Sequence, residues 1–391
     1  MIIGVDIREF ERGKTTGIGQ YLSNFLSARS VFRAEDKFIL YGNQKTAFQP
    51  PEGDYVVRII PERFTFWWDQ VLLPWRLSRD RVDVFLSPYY KAPLLVPCPV
   101  VITIHDLLFL KFPQRRGIRH LLYNMFFHIF ARAVISKASA IITDSQHSKK
   151  DILKTFKVPA EKVKVVALGV PKRFQPVREK GEIESVKGKY NINKRYILYV
   201  GNFKPHKNVP FLIEAYQKLP LTLRKEHQLV LAGDGGSGVK EVKKKLTRMG
   251  LESAVVVTGL IPFEDLPLLY GGAEIFVFPS LYEGFGLPVV EAMACGVPVV
   301  SSDAASLPEI IGDAGVLFSP NRVEDLVEAM TSLLLNHDRR KDLAEKGLNR
   351  SRLFHPGSQE KKIREIIMEV YRDWKERQRQ YRKTGEGTDA R

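Results

Sequence analysis

The sequence has little of what secreted, metal-clustered or membrane-spanning proteins need. Its 391 residues include only two cysteines, Cys98 and Cys295, which excludes a disulfide framework and a Cys/His metal cluster and is typical of a reducing compartment. The first residues form a buried-strand pattern and lack the basic flank and cleavage site of a signal peptide. Uncharged stretches such as 92–104 are too short and too rich in proline to span a bilayer. We therefore expect a soluble, cytoplasmic protein.

Signatures of nucleic-acid binding are also absent from the sequence. There is no zinc-finger spacing, no aromatic RNA-binding strand motif and no basic zipper. The formal net charge is nevertheless +16 at pH 7, which predicts an acidic partner without identifying it. Nucleotide diphosphates and anionic lipid headgroups both fit this charge, and we expect no nucleic-acid partner.

Short apolar runs rich in β-branched residues alternate with helix-like stretches along the whole chain. This alternation is typical of α/β proteins, in which helices cover both faces of a parallel sheet. A length of 391 residues favours two such domains. The predicted strands of the first half are 2–7, 38–41, 56–60, 84–87, 100–104, 140–143 and 163–167, and those of the second half are 196–200, 228–232, 255–258, 275–278, 298–301 and 315–318.

Polar residues and glycines gather directly after the carboxyl ends of these strands. Open α/β sheets bind their ligands beyond that edge, so the sequence predicts a ligand site at the edge of each sheet. The alternative is that these residues only shape the turns between strands and helices. They include Asp6, His105, Asp106, Asp144, Ser145, Gly201, Asn202, Gly233, Glu283 and Asp303.

The segment 281–300 combines a turn with the start of a helix. A buried strand ends near Pro279, and a helix is predicted over 287–295, with Pro288 in its first turn and Gly296 after its end. Free backbone N–H groups and the positive dipole end of a helix N-terminus suit diphosphate oxygens. Gly284 and Gly286 allow a ligand to approach the backbone. Glu291 lies one turn into the helix, where a carboxylate can accept the hydroxyls of a ribose.

Several motifs resemble those of one enzyme family. The glutamates Glu283 and Glu291 stand in the pattern E-x-F-G-x-P-x-x-E, which resembles the signature of glycosyltransferase family 4, a group of retaining GT-B enzymes. The resemblance extends to T-G-I-G-Q-Y at 16–21, to His105-Asp106, to V-G-N-F-K-P-H-K-N at 200–208 and to S-S-D-A-A-S-L-P-E-I-I-G-D-A-G at 301–315. Within the family, 16–21 and 306–315 are most similar to bacterial mannosyltransferases of polysaccharide and lipopolysaccharide assembly.

The resemblance implies a GT-B fold, with two Rossmann-like, doubly wound domains facing across a cleft. Residues 1–172 would form the acceptor-binding domain, 173–194 a linker, and 195–355 the domain that binds the nucleotide sugar. A final helix over 356–382 would cross back to the first domain, and 383–391 has the composition of a disordered tail.

The resemblance also implies roles for individual residues. His105 and Glu283 would act at the donor sugar, near the reacting centre, and Glu291 would hold the ribose. Lys207 would oppose the donor diphosphate, although Asn202 and His206 stand where the family often has a second basic residue, and Lys204 is the alternative. Asp106 would orient His105 or cap the next segment. The substrate-binding set is Gly17, Gly19, Asn202, Lys207, Gly284, Phe285, Gly286, Leu287 and Glu291.

The implied activity is transfer of a hexose, with retention of anomeric configuration, to a lipid-linked or polysaccharide acceptor. Mannose from GDP-mannose is the first choice of donor, and a UDP-sugar is the alternative. A nucleotide-sugar epimerase or a non-catalytic binding scaffold would not require the arrangement of Glu283 and Glu291. The sequence contains no Asp-x-Asp motif, so we expect neither a required metal ion nor a cofactor.

The segment 115–137 mixes basic and aromatic residues in a helix-like stretch. Such a helix can lie on an anionic membrane surface, or it can be an ordinary helix with its apolar stripe in the core. The net charge and a lipid-linked acceptor favour the membrane surface, and with it a peripheral position on the inner face of the cell membrane. The basic residues are Arg115, Arg116, Arg119, His120, Arg132 and Lys137.

Overall fold

The structure, a computed structural model, describes residues 1–12, 17–28, 31–50, 54–112, 118–177, 179–233 and 236–385. The chain divides into two compact units. The first consists of Met1–Gly169 together with Pro356–Arg391, and the second of Val170–His355.

A parallel sheet in the order β3-β2-β1-β4-β5-β6-β7 forms the centre of the first unit. Ile3 of the central strand pairs with Phe38 on one side and with Val84 on the other. Ile3 and Val5 are both completely buried, as expected of parallel strands that are covered on both faces. The strands are β1 (Ile2–Asp6), β2 (Lys37–Gly42), β3 (Tyr55–Ile59), β4 (Val84–Ser87), β5 (Val100–Thr103), β6 (Ala140–Thr143) and β7 (Val163–Val165).

Helices cover this sheet, and the first of them does so with one apolar stripe. The first helix buries Tyr21, Leu22, Phe25 and Leu26, which recur at helical spacing. A π-helical segment, Trp68–Leu72, joins the second and third helices. The helices of the first unit are α1 (Gly17–Ser27), α2 (Thr65–Trp67), α3 (Leu73–Arg79), α4 (Leu108–Lys111), α5 (Ile118–Lys137), α6 (Gln146–Phe156) and, after the second unit, α16 (Pro356–Gly385).

The second unit repeats the construction with a parallel sheet in the order β10-β9-β8-β11-β12-β13. Its strands are β8 (Arg195–Val200), β9 (His227–Ala232), β10 (Val255–Gly259), β11 (Ile275–Phe278), β12 (Val299–Ser302) and β13 (Gly315–Phe318). Its helices are α7 (Lys180–Lys189), α8 (Val209–Lys218), α9 (Leu221–Glu226), α10 (Ser237–Met249), α11 (Leu266–Gly271), α12 (Leu287–Ala294), α13 (Leu307–Ile311), α14 (Val323–Leu335) and α15 (His337–Ser351).

Every strand predicted from the sequence is present, with ends within two residues of those expected. The prediction of two doubly wound α/β sheets is therefore confirmed. Buried parallel strands are continuous apolar runs bounded by turn residues, and that pattern is local enough to be recognised without tertiary information.

Two segments differ from the sequence prediction. Gly17 and Gly19 predict a loop after the first strand and a helix that begins only near Tyr21. The first helix instead begins at Gly17, because burial of its apolar stripe outweighs the low helix propensity of the glycines. The segment 173–194, predicted as a linker, contains α7, in which Val186 is buried. The sequence of α7 has only two large apolar residues among its ten, Ile183 and Val186, so its amphipathic pattern is weak.

The helix-like stretch predicted over 115–137 is described only in part. Arg115 and Arg116 lie outside the described residues, as do Thr16 and the tail from residue 386. Helix α5 occupies Ile118–Lys137, and the apolar residues of its sequence do not recur at the spacing of one helical stripe. Val134 and Ile135 are buried, whereas Ile129 is exposed. Among the described helices, none combines the length and the apolarity that crossing a membrane requires.

Candidate active site

Lys207 and Glu283 form an ion pair at the carboxyl edge of the second sheet. Lys207 follows β8 and Glu283 follows β11, which are neighbouring strands. The Lys207 Nζ donates to Glu283 Oε1 at 2.6 Å, and only 12% and 13% of the two side chains are exposed. The backbone N–H of Leu281 donates to the carbonyl of His206 at 2.7 Å, which fixes the two loops to each other. The structure therefore brings together the two residues predicted to act on the donor sugar and its diphosphate.

A backbone contact between two glycines holds the loops after β8 and β9 together. A Cβ atom on Gly233 would lie 2.0 Å from the carbonyl oxygen of Gly201. Gly233 also has a φ of 139°, and Gly201 a φ of 153°, in the region that residues with side chains rarely adopt. Close approach of the backbone therefore requires glycine at position 233, whereas a Cβ atom on Gly201 would lie 2.8 Å from the Tyr199 hydroxyl.

The loop 283–286 leads directly into α12. Gly286 is left-handed with a φ of 102° and precedes the helix without a side-chain cap. The buried hydroxyl of Ser306 donates to the carbonyls of Glu283 and Phe285, each at 3.0 Å, and thereby fixes the shape of the loop. Pro288 has no N–H, and the N–H of Val289 donates to the carbonyl of Gly286 at 3.0 Å. What this helix start presents to an anion is therefore its positive dipole end. Ser306 lies within the 301–315 motif, but its positioning contact requires the tertiary structure.

Glu291 has a different set of partners from Glu283. The hydroxyl of Tyr270 on α11 donates to Glu291 Oε2 at 2.9 Å. Burial raises the pKa of Glu291 to about 7, while Tyr270 and the charge of Arg173 oppose that shift. The carboxyl of Glu291 is therefore poised to change its charge near neutral pH.

The other residues of the loop after β8 do not supply a second buried cation. His206 is buried, and burial together with the charge of Lys207 lowers its pKa to about 4, so its ring is neutral at pH 7. Asn202 Oδ1 accepts from the backbone N–H of Lys204 at 3.2 Å, a turn within the loop. The Lys204 side chain itself is exposed.

In the first unit, His105 is held by a carboxylate that follows the neighbouring strand. Its Nδ1 lies 2.7 Å from Asp144 Oδ2, and the Tyr21 ring packs edge-on against it with centroids 5.0 Å apart. Burial lowers the pKa of His105, but the Asp144 charge and hydrogen bond outweigh burial, so the net pKa is raised. The Nε2 atom is buried and has no hydrogen-bond partner among the described residues, which leaves it for a ligand.

Asp106 caps the segment that follows it, which is the second of the two roles predicted for it. Its Oδ1 accepts from the backbone N–H of Leu108 at 2.9 Å, at the start of α4, while Asp144 holds the histidine ring. Gly17 and Gly19 lie in the first turn of α1. Tyr21 of the same helix touches His105, so the structure brings the glycine segment close to the histidine.

A polar cavity of about 450 Å³ lies at the carboxyl edge of the first sheet. Arg8 lies between Asp6 and Asp69, with Nη2 2.7 Å from a carboxylate oxygen of each, and its guanidinium stacks 3.6 Å above the Trp68 ring. Burial raises the pKa of Asp69 to about 6, although the charge of Arg8 opposes the shift. The cavity is lined by Arg8, Glu9, Glu11, Asn43, Gln44, Lys45, Glu62, Arg63, Thr65, Tyr89 and Lys91.

Four of these features are not apparent from the sequence: the Asp144–His105 pair, the Tyr270–Glu291 pair, the Ser306 contacts and the Arg8 cluster. Each includes a contact between residues at least 21 positions apart in the sequence. Asp6 and Asp144 were recognisable as polar residues at strand ends, but their partners were not.

Two family models match the chain. The model described as Glycosyltransferase Family 4 matches residues 37–173, and the model described as Glycosyl transferases group 1 matches residues 182–350. The first match lies in the first unit and the second match in the second unit.

Curated relatives are similar over most of this chain. O-antigen chain mannosyltransferase B of Escherichia coli is 34% identical over 284 residues, which is 72% of this chain and 72% of that protein. The serotype-specific mannosyltransferase WbdA of Escherichia coli is 32% identical over 264 residues, which is 66% of this chain but only 32% of that longer protein.

Solved structures share the fold at lower identity. Anabaena HepE in complex with UDP and glucose superposes with a TM-score of 0.75 at 21% identity, covering 94% of this chain and 99% of that one. WaaG, a glycosyltransferase involved in lipopolysaccharide biosynthesis, superposes with a TM-score of 0.76 at 18% identity, covering 93% and 99%.

Proposed function

The chain belongs to glycosyltransferase family 4, and from this we propose that it transfers mannose from GDP-mannose to a lipid-linked or polysaccharide acceptor. The observation that carries the proposal is the Lys207–Glu283 ion pair before the uncapped start of α12. The mannose preference is supported by two mannosyltransferases of Escherichia coli at 34% and 32% identity.

The proposed roles of the site residues follow from the charges that develop during the reaction. As the bond between the anomeric carbon and the diphosphate breaks, negative charge grows on the diphosphate and positive charge on the sugar. The Lys207 ammonium and the N-terminus of α12 stabilise the diphosphate. Glu283 accepts a hydroxyl of the sugar and stabilises its positive charge. In the free enzyme these two side chains neutralise each other, so neither is left as an unpaired, largely buried charge.

The remaining site residues complete the proposed donor and acceptor sites. Glu291 accepts the ribose hydroxyls when ionised, and His105 Nε2 binds a hydroxyl of the donor sugar. The polar cavity beside Arg8 offers carboxylates and amides, which bind sugar hydroxyls, and we assign the acceptor to it. Retention of configuration follows from attack of the acceptor on the face that the diphosphate leaves, with a diphosphate oxygen taking the acceptor proton.

Nucleotide specificity gives a direct test of the donor. We expect GDP-mannose to raise the melting temperature of the full chain more than UDP-glucose, UDP-galactose or ADP-glucose at equal concentration, because a ligand bound to the folded state stabilises it by mass action. Release of GDP from GDP-mannose, with or without acceptor, is the matching activity measurement. Stabilisation and turnover with a UDP-sugar instead would keep the assignment as a glycosyltransferase and reject GDP-mannose as the donor. Release of no nucleoside diphosphate from any of these four donors would reject the catalytic proposal.

The Asp144–His105 pair supplies a second test. Asp144→Asn removes the charge that raises the pKa of His105, so we expect the limb of the kcat/KM profile that depends on His105 to move to lower pH. The loss of a charged hydrogen bond should lower kcat about 10–100-fold. The measurement is the pH dependence of GDP release.

Asp106→Asn is the matched control, because an asparagine oxygen can still accept from the N–H of Leu108 and because Asp106 affects the His105 pKa less than Asp144 does. A larger change in kcat or in the pH profile for Asp106→Asn than for Asp144→Asn would contradict the assignment.

A further inference from the structure

A groove in the first unit exposes large apolar side chains to solvent. Phe64 is 74% exposed, Trp75 56% and Trp67 55%. Together with Ile59 they line a cavity of about 810 Å³ between the end of β3 and the helices α2 and α3. We name it the Trp67–Trp75 groove. An exposed apolar surface of this extent usually marks a contact with another molecule.

The fold does not need these aromatic side chains for its own core. The opposite face of the same helical segment buries Trp68, Leu73 and Leu77. The indole N–H of Trp68 donates to the carbonyl of Ile60 at 3.0 Å, which anchors the helix to the strand. Because the core is already complete on that side, the exposed Trp67 and Trp75 are free to serve a binding function.

The charge in the groove is of one sign. The lining contains three arginines, Arg58, Arg63 and Arg76, and no carboxylate among the described residues. Arg58 and Arg76 share one carboxylate, Asp80, at 3.6 and 3.2 Å. Two guanidinium groups on one carboxylate leave a positive charge, and the exposed Arg63 adds a second. The surface therefore combines exposed indole rings with a net positive rim.

We propose that the Trp67–Trp75 groove docks the enzyme on an anionic phospholipid bilayer. Trp and Phe side chains insert at the boundary between headgroups and acyl chains, and arginines bind the phosphates. A second copy of the chain fits less well, because two such rims would place arginines against arginines at the interface. Docking of this kind is independent of which sugar the enzyme transfers.

The docking surface continues onto α5, the helix whose sequence first indicated a membrane surface. Phe66 of α2 lies against Phe130 of α5, with ring centroids 5.9 Å apart. Ile129, the next residue on α5, is 63% exposed. We therefore place the centre of the proposed membrane contact at the groove, with α5 at its border.

The test is co-sedimentation of the full chain with vesicles. We expect binding to vesicles of phosphatidylglycerol mixed with phosphatidylcholine, much weaker binding to phosphatidylcholine alone, and weakening at high salt. Phe64→Ser/Trp67→Ser/Trp75→Ser should reduce the affinity at least about tenfold, because the apolar area that enters the bilayer is lost. Arg63→Glu should reduce it about 30-fold, because the substitution removes a favourable contribution on the order of 1 kcal/mol at an anionic surface and adds a repulsive one of similar size.

Matched controls come from exposed residues of the second unit. Leu260→Ser/Leu335→Ser/Leu353→Ser removes side chains that are 76%, 70% and 63% exposed, and Lys244→Glu reverses an exposed charge on α10. Both should bind vesicles like the wild type. The melting temperature and donor turnover in detergent-free buffer should stay unchanged in the aromatic variant, which separates a docking defect from unfolding or loss of chemistry.

Three results would overturn the proposal. The wild type could fail to bind anionic vesicles, or the aromatic variant could bind them as well as the wild type does. Analytical ultracentrifugation could instead show a wild-type dimer that the aromatic variant breaks, without vesicle binding. The last result would assign the groove to a contact between two copies.

Discussion

Glu283→Gln is expected to lower kcat by about 10²–10³-fold while leaving GDP affinity unchanged or improved. The substitution keeps the size of the side chain but removes the charge that stabilises the sugar as positive charge develops on it. It also frees the Lys207 ammonium from its 2.6 Å ion pair, so that Lys207 no longer divides its charge between Glu283 and the diphosphate. The measurements are steady-state GDP release and calorimetric titration with GDP.

Two further variants test whether the effect on kcat is specific to the charge of Glu283. Lys207→Gln should weaken GDP binding as well as kcat, because the diphosphate loses its cation. Glu274→Gln, which removes the charge of another partly buried glutamate, paired with Arg340 at 2.9 Å, should leave kcat unchanged. If Glu283→Gln lowered the melting temperature and GDP affinity together, Glu283 would be a structural residue that only holds the two loops.

The second large effect concerns Glu291 and pH. Since burial raises the pKa of Glu291 to about 7, the free enzyme holds this carboxyl protonated below that pH, where it accepts ribose hydroxyls poorly. Donor affinity should therefore increase as the pH is raised towards 7, by up to about tenfold per pH unit, and should level off above pH 7. Glu291→Gln should remove this dependence and weaken donor binding about 10–100-fold above pH 7. Titration of the donor across this pH range is the measurement.

The same group affects stability with a predictable sign. A carboxyl whose pKa is higher in the folded than in the unfolded state costs folding free energy as pH rises from its unfolded pKa through its folded pKa. Glu291→Gln should therefore stabilise the fold above pH 7, by an amount on the order of 3 kcal/mol at most, and should change it little near pH 4. Melting temperatures at the two pH values measure the difference.

Tyr270→Phe provides the control for both Glu291 effects. The Tyr270 hydroxyl stabilises the ionised carboxylate through its 2.9 Å hydrogen bond, so its removal should raise the Glu291 pKa further. The rise in donor affinity should then shift to higher pH without disappearing. A pH dependence that is the same in wild type, Glu291→Gln and Tyr270→Phe would place the titrating group elsewhere.

The sequence predicted the sheets better than the helices and the helices better than the side-chain pairs. A buried strand such as Phe276–Phe278 is an apolar run that only a covered parallel sheet tolerates. The start of α1 was misplaced because Gly17 and Gly19 indicate a loop locally, whereas burial of Tyr21 and its neighbours decides the structure. Local propensity is weaker than tertiary burial over such a short segment.

The candidate site was predictable only where its residues lie close together in the sequence. Glu283, Gly286 and Glu291 lie within nine residues and match a family pattern, so the sequence alone predicted that they belong to one site. Asp144 lies 39 residues from the histidine that it holds, and its pairing depends on β5 and β6 being neighbours in the sheet. Pairs of this kind follow from strand order, which a single sequence does not specify.

The position of helix α16 in the chain determines when the core of the first unit can be completed during synthesis. Its residues follow the second unit in the chain but belong to the first, where Ile363 and Ile367 are completely buried and the Gln359 side chain accepts the backbone N–H of Gly169 at 2.6 Å. A chain that ends at residue 355 contains every described strand of both sheets but leaves the first core without one of its covering helices. The first unit is therefore assembled from two stretches of chain, and its core can be completed only after the segment that forms the second unit has been made.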